Sequence, residues 1–200
     1  AGQARLLGEA GSAQAAARAR EILDGALPGL ELDADMRWRA LTALAQLDAV
    51  SADELEAQRK ADPTASGITH HLQASSSMPH QDLKAEVFER LLRDTSVSND
   101  HIDALVAGFA VDAHRELTAS FTPRYLREIQ GLWAERGQEI ATRLVVGLFP
   151  FCGDEADAQA VEDWLATHPE APSALRRLIL KSLDDLRRAL RARRTGSAVL

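Results

Sequence analysis

"TPRYLREIQGLWAERG", residues 122–137, reads as one helix from end to end. Thr122 is placed to cap the first turn. Pro123 falls where a missing backbone N–H costs nothing and a fixed φ suits the helix. Leu126, Ile129, Leu132 and Trp133 then recur at intervals of three and four, which puts them on one face, and Gly137 marks the stop.

The same grammar repeats along the chain. Asp33 can cap a helix with the apolar stripe Met36, Ala40, Leu44 and Leu47. Ser51 and Glu54 have the spacing of a capping box, in which each side chain satisfies an orphaned backbone N–H. Asp62 and Pro63 predict an N-cap and first turn, which places Thr64 to Ser75 on a helix. Ser98 precedes Ile102, Leu105, Val106 and Phe109; a further stripe of Ile140, Leu144, Val145 and Leu148 stops at Pro150. Asp154 opens a segment with Val161, Trp164 and Leu165, closed by "THPEAP" at 167–172. The last helix carries Leu175, Leu178, Ile179, Leu183, Leu186 and Leu190.

No stretch keeps a period of two, so the fold class is all-α, with roughly 9–10 helices. Connections of about two to six residues predict antiparallel neighbours. The succession fits stacked helix pairs in a HEAT- or armadillo-like α-superhelix, although no literal repeat recurs. Residues 1–194 read as one helical domain, and "TGSAVL" at 195–200 as a frayed tail.

Composition narrows the function. Apolar residues at 46% and charged residues at 26% support a packed core rather than disorder. A net charge of −7 argues against a nucleic-acid or anionic-membrane partner. The one cysteine, Cys152, excludes an internal disulfide and suits a reducing compartment. With no basic-apolar leader and no run near the ~18 apolar residues that span a bilayer, the expected setting is the cytoplasm.

The stretch with the most chemical promise is "ADPTASGITHHLQAS", residues 61–75. On a helix, Ala65, Ile68 and Leu72 should share the buried face, with His71 on its flank and His70 pointing almost the opposite way. Adjacent histidines cannot easily share one ion, since a helical metal pair needs spacing of three or four. The stretch is expected to be structural. His80, His101, His114 and His168 lack a second ligand at metal spacing, and no local cation is evident to lower the Cys152 pKa.

The acidic pairs Asp53/Glu54 and Asp154/Glu155 suit first helical turns, and Asp184/Asp185 lacks a visible cleft. Gly108, Gly131 and Gly147 stand alone, without a phosphate-binding loop. The basic end "RRLILKSLDDLRRALRARR", 176–194, admits two readings. Its Arg176, Arg177, Lys181, Arg187, Arg188, Arg191, Arg193 and Arg194 either complement a helix C-terminus or face an acidic neighbour or peptide carboxylate. Nucleic acid is disfavoured by the overall acidity and the lack of interleaved aromatics.

Several stretches, in order, resemble one family: "PGLELDADMRWRALTAL" (28–44), "ADPTASG" (61–67), "LKAEVF" (83–88), "GLWAERGQEIATRLVVGLFP" (131–150) and "HPEAPSALRRLILKSLDDLRRALRAR" (168–193). Together, over roughly residues 6–194, they look like the end of actinobacterial-type aminopeptidase N, a zinc-dependent gluzincin exopeptidase. That family holds zinc with His-Glu-x-x-His plus a downstream Glu, and the substrate's amine with Gly-x-Met-Glu-Asn. Neither motif occurs here.

The resemblance therefore implies the non-catalytic C-terminal helical domain, with no catalytic, metal or cofactor residue to carry over and substrate-binding positions unassigned. It implies zinc in the parent enzyme's catalytic domain, that domain as partner, and peptides as substrates of the whole. This part would cap the active-site cavity and shape peptide access. Further helices would precede Ala1, so the helix near Arg5 to Leu27 would lack a stacking neighbour and expose apolar surface. Two rivals stand beside this reading: a free-standing helical-repeat adaptor that binds a protein, and an enzyme whose site assembles from scattered histidines and carboxylates.

Overall fold

The computed structural model describes residues 2–25 and 32–197, with burial assigned for 11–25 and 32–195. Among these residues every regular element is helical. They group into two compact units, Ala1–Leu83 and Lys84–Leu200.

The first unit holds α1 (Gly2–Leu23), α2 (Ala34–Gln46), α3 (Ala52–Ala61) and α4 (Ala65–Ser76). Helix α1 packs on α2, α3 on α4, and α2 on α4. Arg20 ties α1 to α3 by pairing with Glu54, and its Nη2 donates to Ala49 O at 2.5 Å. The core gathers Trp38, Leu41, Leu44, Val50, Leu55, Ala74 and Met78. Fully burying a valine, leucine or methionine side chain stabilises by about 1.5–3 kcal/mol.

The second unit holds α5 (Gln81–Arg93, whose first residues belong to the other unit), α6 (Asn99–Phe109), the short α7 (Arg115–Thr118), α8 (Thr122–Glu135), α9 (Gln138–Gly147), α10 (Glu155–Thr167) and α11 (Ser173–Ser197). Two layers emerge from the contacts. Helix α6 packs on α9 and α9 on α11. Helix α8 packs on α10 and is tied to α5 by Arg124–Glu89 and by Arg93–Glu128 at 2.8 Å. Across the layers α8 meets α9 and α10 meets α11. Each pair buries what its members could not bury alone.

Most of the sequence-level start signals hold. Asp33 Oδ1 accepts from Met36 N at 2.7 Å, Ser51 Oγ from Glu54 N at 3.2 Å, and Ser98 Oγ from His101 N at 3.4 Å. The box at Ser51 is half made, because the Glu54 carboxylate turns to Arg20 instead. A complete capping box forms at Asp154 with Asp157.

Two start signals need correction. The α4 cap is Thr64, whose Oγ1 accepts from Gly67 N at 3.0 Å, while Asp62 closes α3. Thr122 is not a cap. The chain enters α8 from a 3₁₀ turn at Ala119–Phe121, so Thr122 is already helical, and its Oγ1 is buried without a hydrogen-bond partner. At the far end α11 continues through Ser197, which includes Thr195 and Gly196.

Side chains from elsewhere cover many helix C-termini. Lys84 Nζ donates to Gly108 O at 2.6 Å at the end of α6, and Tyr125 Oη to Val145 O at 2.7 Å near the end of α9. Arg136 Nη2 donates to Leu92 O at 2.8 Å, and Arg176 Nη1 to Leu165 O and His168 O at 2.7 and 2.6 Å. The last four carbonyls of a helix have no partner within it. Side-chain donors from elsewhere in the unit, charged at Lys84, Arg136 and Arg176 and neutral at Tyr125, meet that need and tie the helices together.

Candidate functional site

The histidine stretch becomes the best-defined polar cluster of the first unit, but not with the face expected. Ala65 and Ile68 are exposed; the buried positions of α4 are Gly67, Ala74 and Ser76. Gly67 lets α4 come close to the end of α3. A Cβ at Gly67 would strike the backbone carbonyl of Asp62 and lie 2.6 Å from its Oδ2. Both histidines lean on Trp38 of α2, which is 1% exposed. Ring centroids are 6.3 Å apart for His70 and 6.1 Å for His71. His70 does not point away from the core.

Asp62 organises the cluster. Its carboxylate accepts from Thr64 Oγ1 at 2.7 Å and from Trp38 Nε1 at 2.9 Å. These two donors hold it below the usual carboxylate range, the threonine foremost. His70 Nε2 lies 3.7 Å from Asp35 Oδ1, and its buried Nδ1 has no hydrogen-bond partner. Burial lowers the His71 pKa, with Glu56 acting in the opposite sense.

Ser75, His71 and Glu56 superficially resemble a nucleophile, a base and its orienter. Their geometry rules that role out. Ser75 Oγ stands 3.2 Å and Glu56 Oε2 3.7 Å from the same ring atom, His71 Nε2. A triad needs the hydroxyl on one ring nitrogen and the carboxylate on the other. The Glu56 carboxylate is also taken by Arg59 at 2.6 and 2.7 Å.

The other candidates are scattered. His80 Nε2 meets Asp48 Oδ1 at 2.9 Å, and His168 stacks on Trp164 at 4.7 Å with Nδ1 2.9 Å from Trp164 O. His114 is buried, and His101 is half-buried at the start of α6. Asp53 lies in the first turn of α3, Asp154 caps α10 and Glu155 begins it. Asp185 pairs with Arg188. Burial, then Asp112, pushes the Cys152 thiol up to about 11, which keeps it protonated at neutral pH. Among the described residues no three His, Cys, Asp or Glu side chains are grouped to hold a metal ion.

Much of the basic end is engaged within the second unit. Arg187 pairs with Glu162, and Arg194 lies 3.5 Å from Glu155. Arg193 donates to the carbonyls of Cys152 and Gly153 at 3.2 and 2.9 Å, and Arg176 closes α10. Arg177, Lys181 and Arg191 stay exposed on α11. Periodicity gave no sign of two residues that matter most. Trp38 lay outside the stripe read from Met36, and Lys84 is a cation at a core position.

The ERAP1-like C-terminal domain family matches residues 3–188, and the chain belongs to that family. Among individual relatives, it is 34% identical over 180 residues to Aminopeptidase N of Streptomyces lividans, an overlap that takes in 88% of this chain and 21% of that protein. Among the described residues no helix is long and apolar enough to cross a membrane.

Proposed function

We propose that this chain is the C-terminal helical part of an aminopeptidase N and supplies no catalytic group of its own. One observation carries the reading: the relative is matched across 88% of this chain but over only 21% of its own length. Zinc, its ligands and the group that binds the substrate's free amine would then lie in the larger remainder. Residues 1–194 act as one domain with 195–200 as its tail, in the cytoplasm, and the principal partner is the catalytic domain of the same polypeptide.

In this reading the stacked helices close over the catalytic domain and wall off a cavity, so that extended peptides enter and folded proteins do not. The polar clusters described above support it indirectly. They are spent on helix ends and interhelical ties, which gives a wall rather than a reactive centre.

Two measurements test the proposal. The isolated chain should give no zinc-dependent turnover of an aminoacyl-fluorophore, and such turnover would overturn it. In the parent enzyme, removal of these residues should relax discrimination between peptides and folded proteins while a minimal aminoacyl substrate still reacts. Unchanged discrimination would overturn the capping role.

A further inference from the structure

The second unit contains a cavity of about 120 Å³ between the ends of α6 and α9, the turns before α8 and the 148–153 loop. Four aromatic side chains form much of its wall. Phe109 and Phe121 meet edge to face at 5.4 Å, and Phe149 and Phe151 lie 4.8 Å apart. A second hollow adjoins this chamber and is bordered by Glu116, Asp154 and Arg193. Arg115 and Asp157 line both spaces, so a cation and a carboxylate stand where the aromatic chamber meets the polar hollow.

Those two charges are open to a ligand. Arg115 is exposed, and among the described residues its guanidinium has no ion-pair partner, Asp157 included. Asp157 is half-buried and spends Oδ2 on Asp154 N at 3.0 Å; among the described residues nothing donates to its Oδ1. Glu116, exposed beside Arg115 on α7, adds a further carboxylate to the hollow. The remaining charges there are engaged. Asp154 Oδ1 caps α10, and Arg193 donates to Cys152 O and Gly153 O at 3.2 and 2.9 Å, which fixes the loop that forms one wall.

We propose that this two-part site binds a free α-amino acid with an aromatic side chain, phenylalanine being its test member. The ring enters the chamber and meets the flanking phenylalanines in stacked and edge-on contacts. An apolar cavity of about 150 Å³ accepts benzene, so the space suits one six-membered ring. The α-carboxylate meets Arg115, and the α-ammonium meets Asp157 with Glu116 nearby. Both charged groups stay in the outer hollow, within reach of water, and escape the cost of burying a charge. A head of one sign would satisfy one of the two protein charges and be repelled by the other. The inference does not rest on the aminopeptidase reading.

The test is a titration of the full chain with L-phenylalanine, 3-phenylpropionate, phenethylamine and glycine, followed by methyl NMR at Val111 and Leu148, which also line the chamber. Expected are saturable shifts at both residues with phenylalanine, which binds about threefold to tenfold more tightly than either singly charged analogue, and none with glycine. Arg115→Gln alters an exposed side chain and keeps the fold. It should remove the advantage of phenylalanine over phenethylamine while phenethylamine still binds. No saturable shift with phenylalanine would overturn the site, and shifts of equal strength with glycine would overturn the part played by the chamber. Either analogue matching phenylalanine, or an undiminished advantage in Arg115→Gln, would overturn recognition of the dipolar head.

Discussion

Trp38 Nε1 donates to Asp62 Oδ2 at 2.9 Å, which links the middle of α2 to the residue that closes α3. Thr64 Oγ1 binds the other oxygen of that carboxylate and caps α4 with the same atom. Three helices thus converge on one side chain. Asp62→Ala would strand a buried indole N–H and loosen the α4 cap together, and buried donors are costly to leave unmade. The denaturation midpoint should fall, and Asp62→Asn, which keeps one acceptor oxygen, should fall less. Equal midpoints for all three proteins would refute this.

Gly67 allows the close approach of α4 to the α3 end. A methyl group there collides with the Asp62 backbone carbonyl, which cannot swing aside as a flexible side chain would. Gly67→Ala is therefore expected to destabilise by about 1–3 kcal/mol, the usual range for overpacking, although alanine is the better helix former. Chemical denaturation settles the sign. A gain in stability would mean that the contact relaxes freely.

Lys84 supplies a pH dependence with a definite direction. It is fully buried, and burial lowers its pKa from 10.5 to about 8. Between those values the unfolded chain holds a proton that the folded chain has released. Stability linked to Lys84 must therefore rise as pH climbs from about 8 to 10.5, by at most about 3 kcal/mol. Lys84→Met keeps the apolar stem and removes the titration. The difference between the two proteins' denaturation midpoints should shift in favour of Lys84 over that window and be flat below it.

Cys152 should be slow to react. A thiol at about 11 rather than 9.0 carries about a hundredfold less thiolate at pH 8. Alkylation by iodoacetamide is expected to be slower than in the urea-unfolded chain by about that factor. Asp112→Asn removes the second-largest cause of the shift and should speed the reaction. A native rate equal to the unfolded rate would contradict the assignment.

Helix identity was legible because capping side chains and apolar spacing are local signals. Asp33, Ser51, Ser98 and Asp154 each cap the helix that begins just after them. The α4 face was not legible. Its buried positions are Gly67, Ala74 and Ser76, and small residues leave little hydropathic trace, whereas Ile68 has the hydropathy of a core residue yet is exposed. Asp62–Pro63 resembled a helix start because the sequence cannot reveal that Trp38, 24 residues away, shares that carboxylate. The same blindness hid the long-range caps, since Arg136 reaches back 44 residues to Leu92.

Arg176 is the sharpest test of those long-range caps. It sits in the first turn of α11, where the helix dipole disfavours a cation. Yet it delivers two short bonds to the carbonyls that end α10, Leu165 O at 2.7 Å and His168 O at 2.6 Å. The favourable field of the α10 C-terminus, and two charge-assisted bonds, outweigh the unfavourable field of its own helix. Arg176→Met should cost about 1.5–3 kcal/mol, and Arg176→Lys should recover part of it, because both bonds come from the single nitrogen Nη1 and an ammonium at that place could donate to both carbonyls, though on a shorter side chain. Hydrogen exchange should quicken first at the last turn of α10, where His168 N bonds to Trp164 O. Uniform quickening across the unit, with no local excess at that turn, would mean that Arg176 acts through general packing instead.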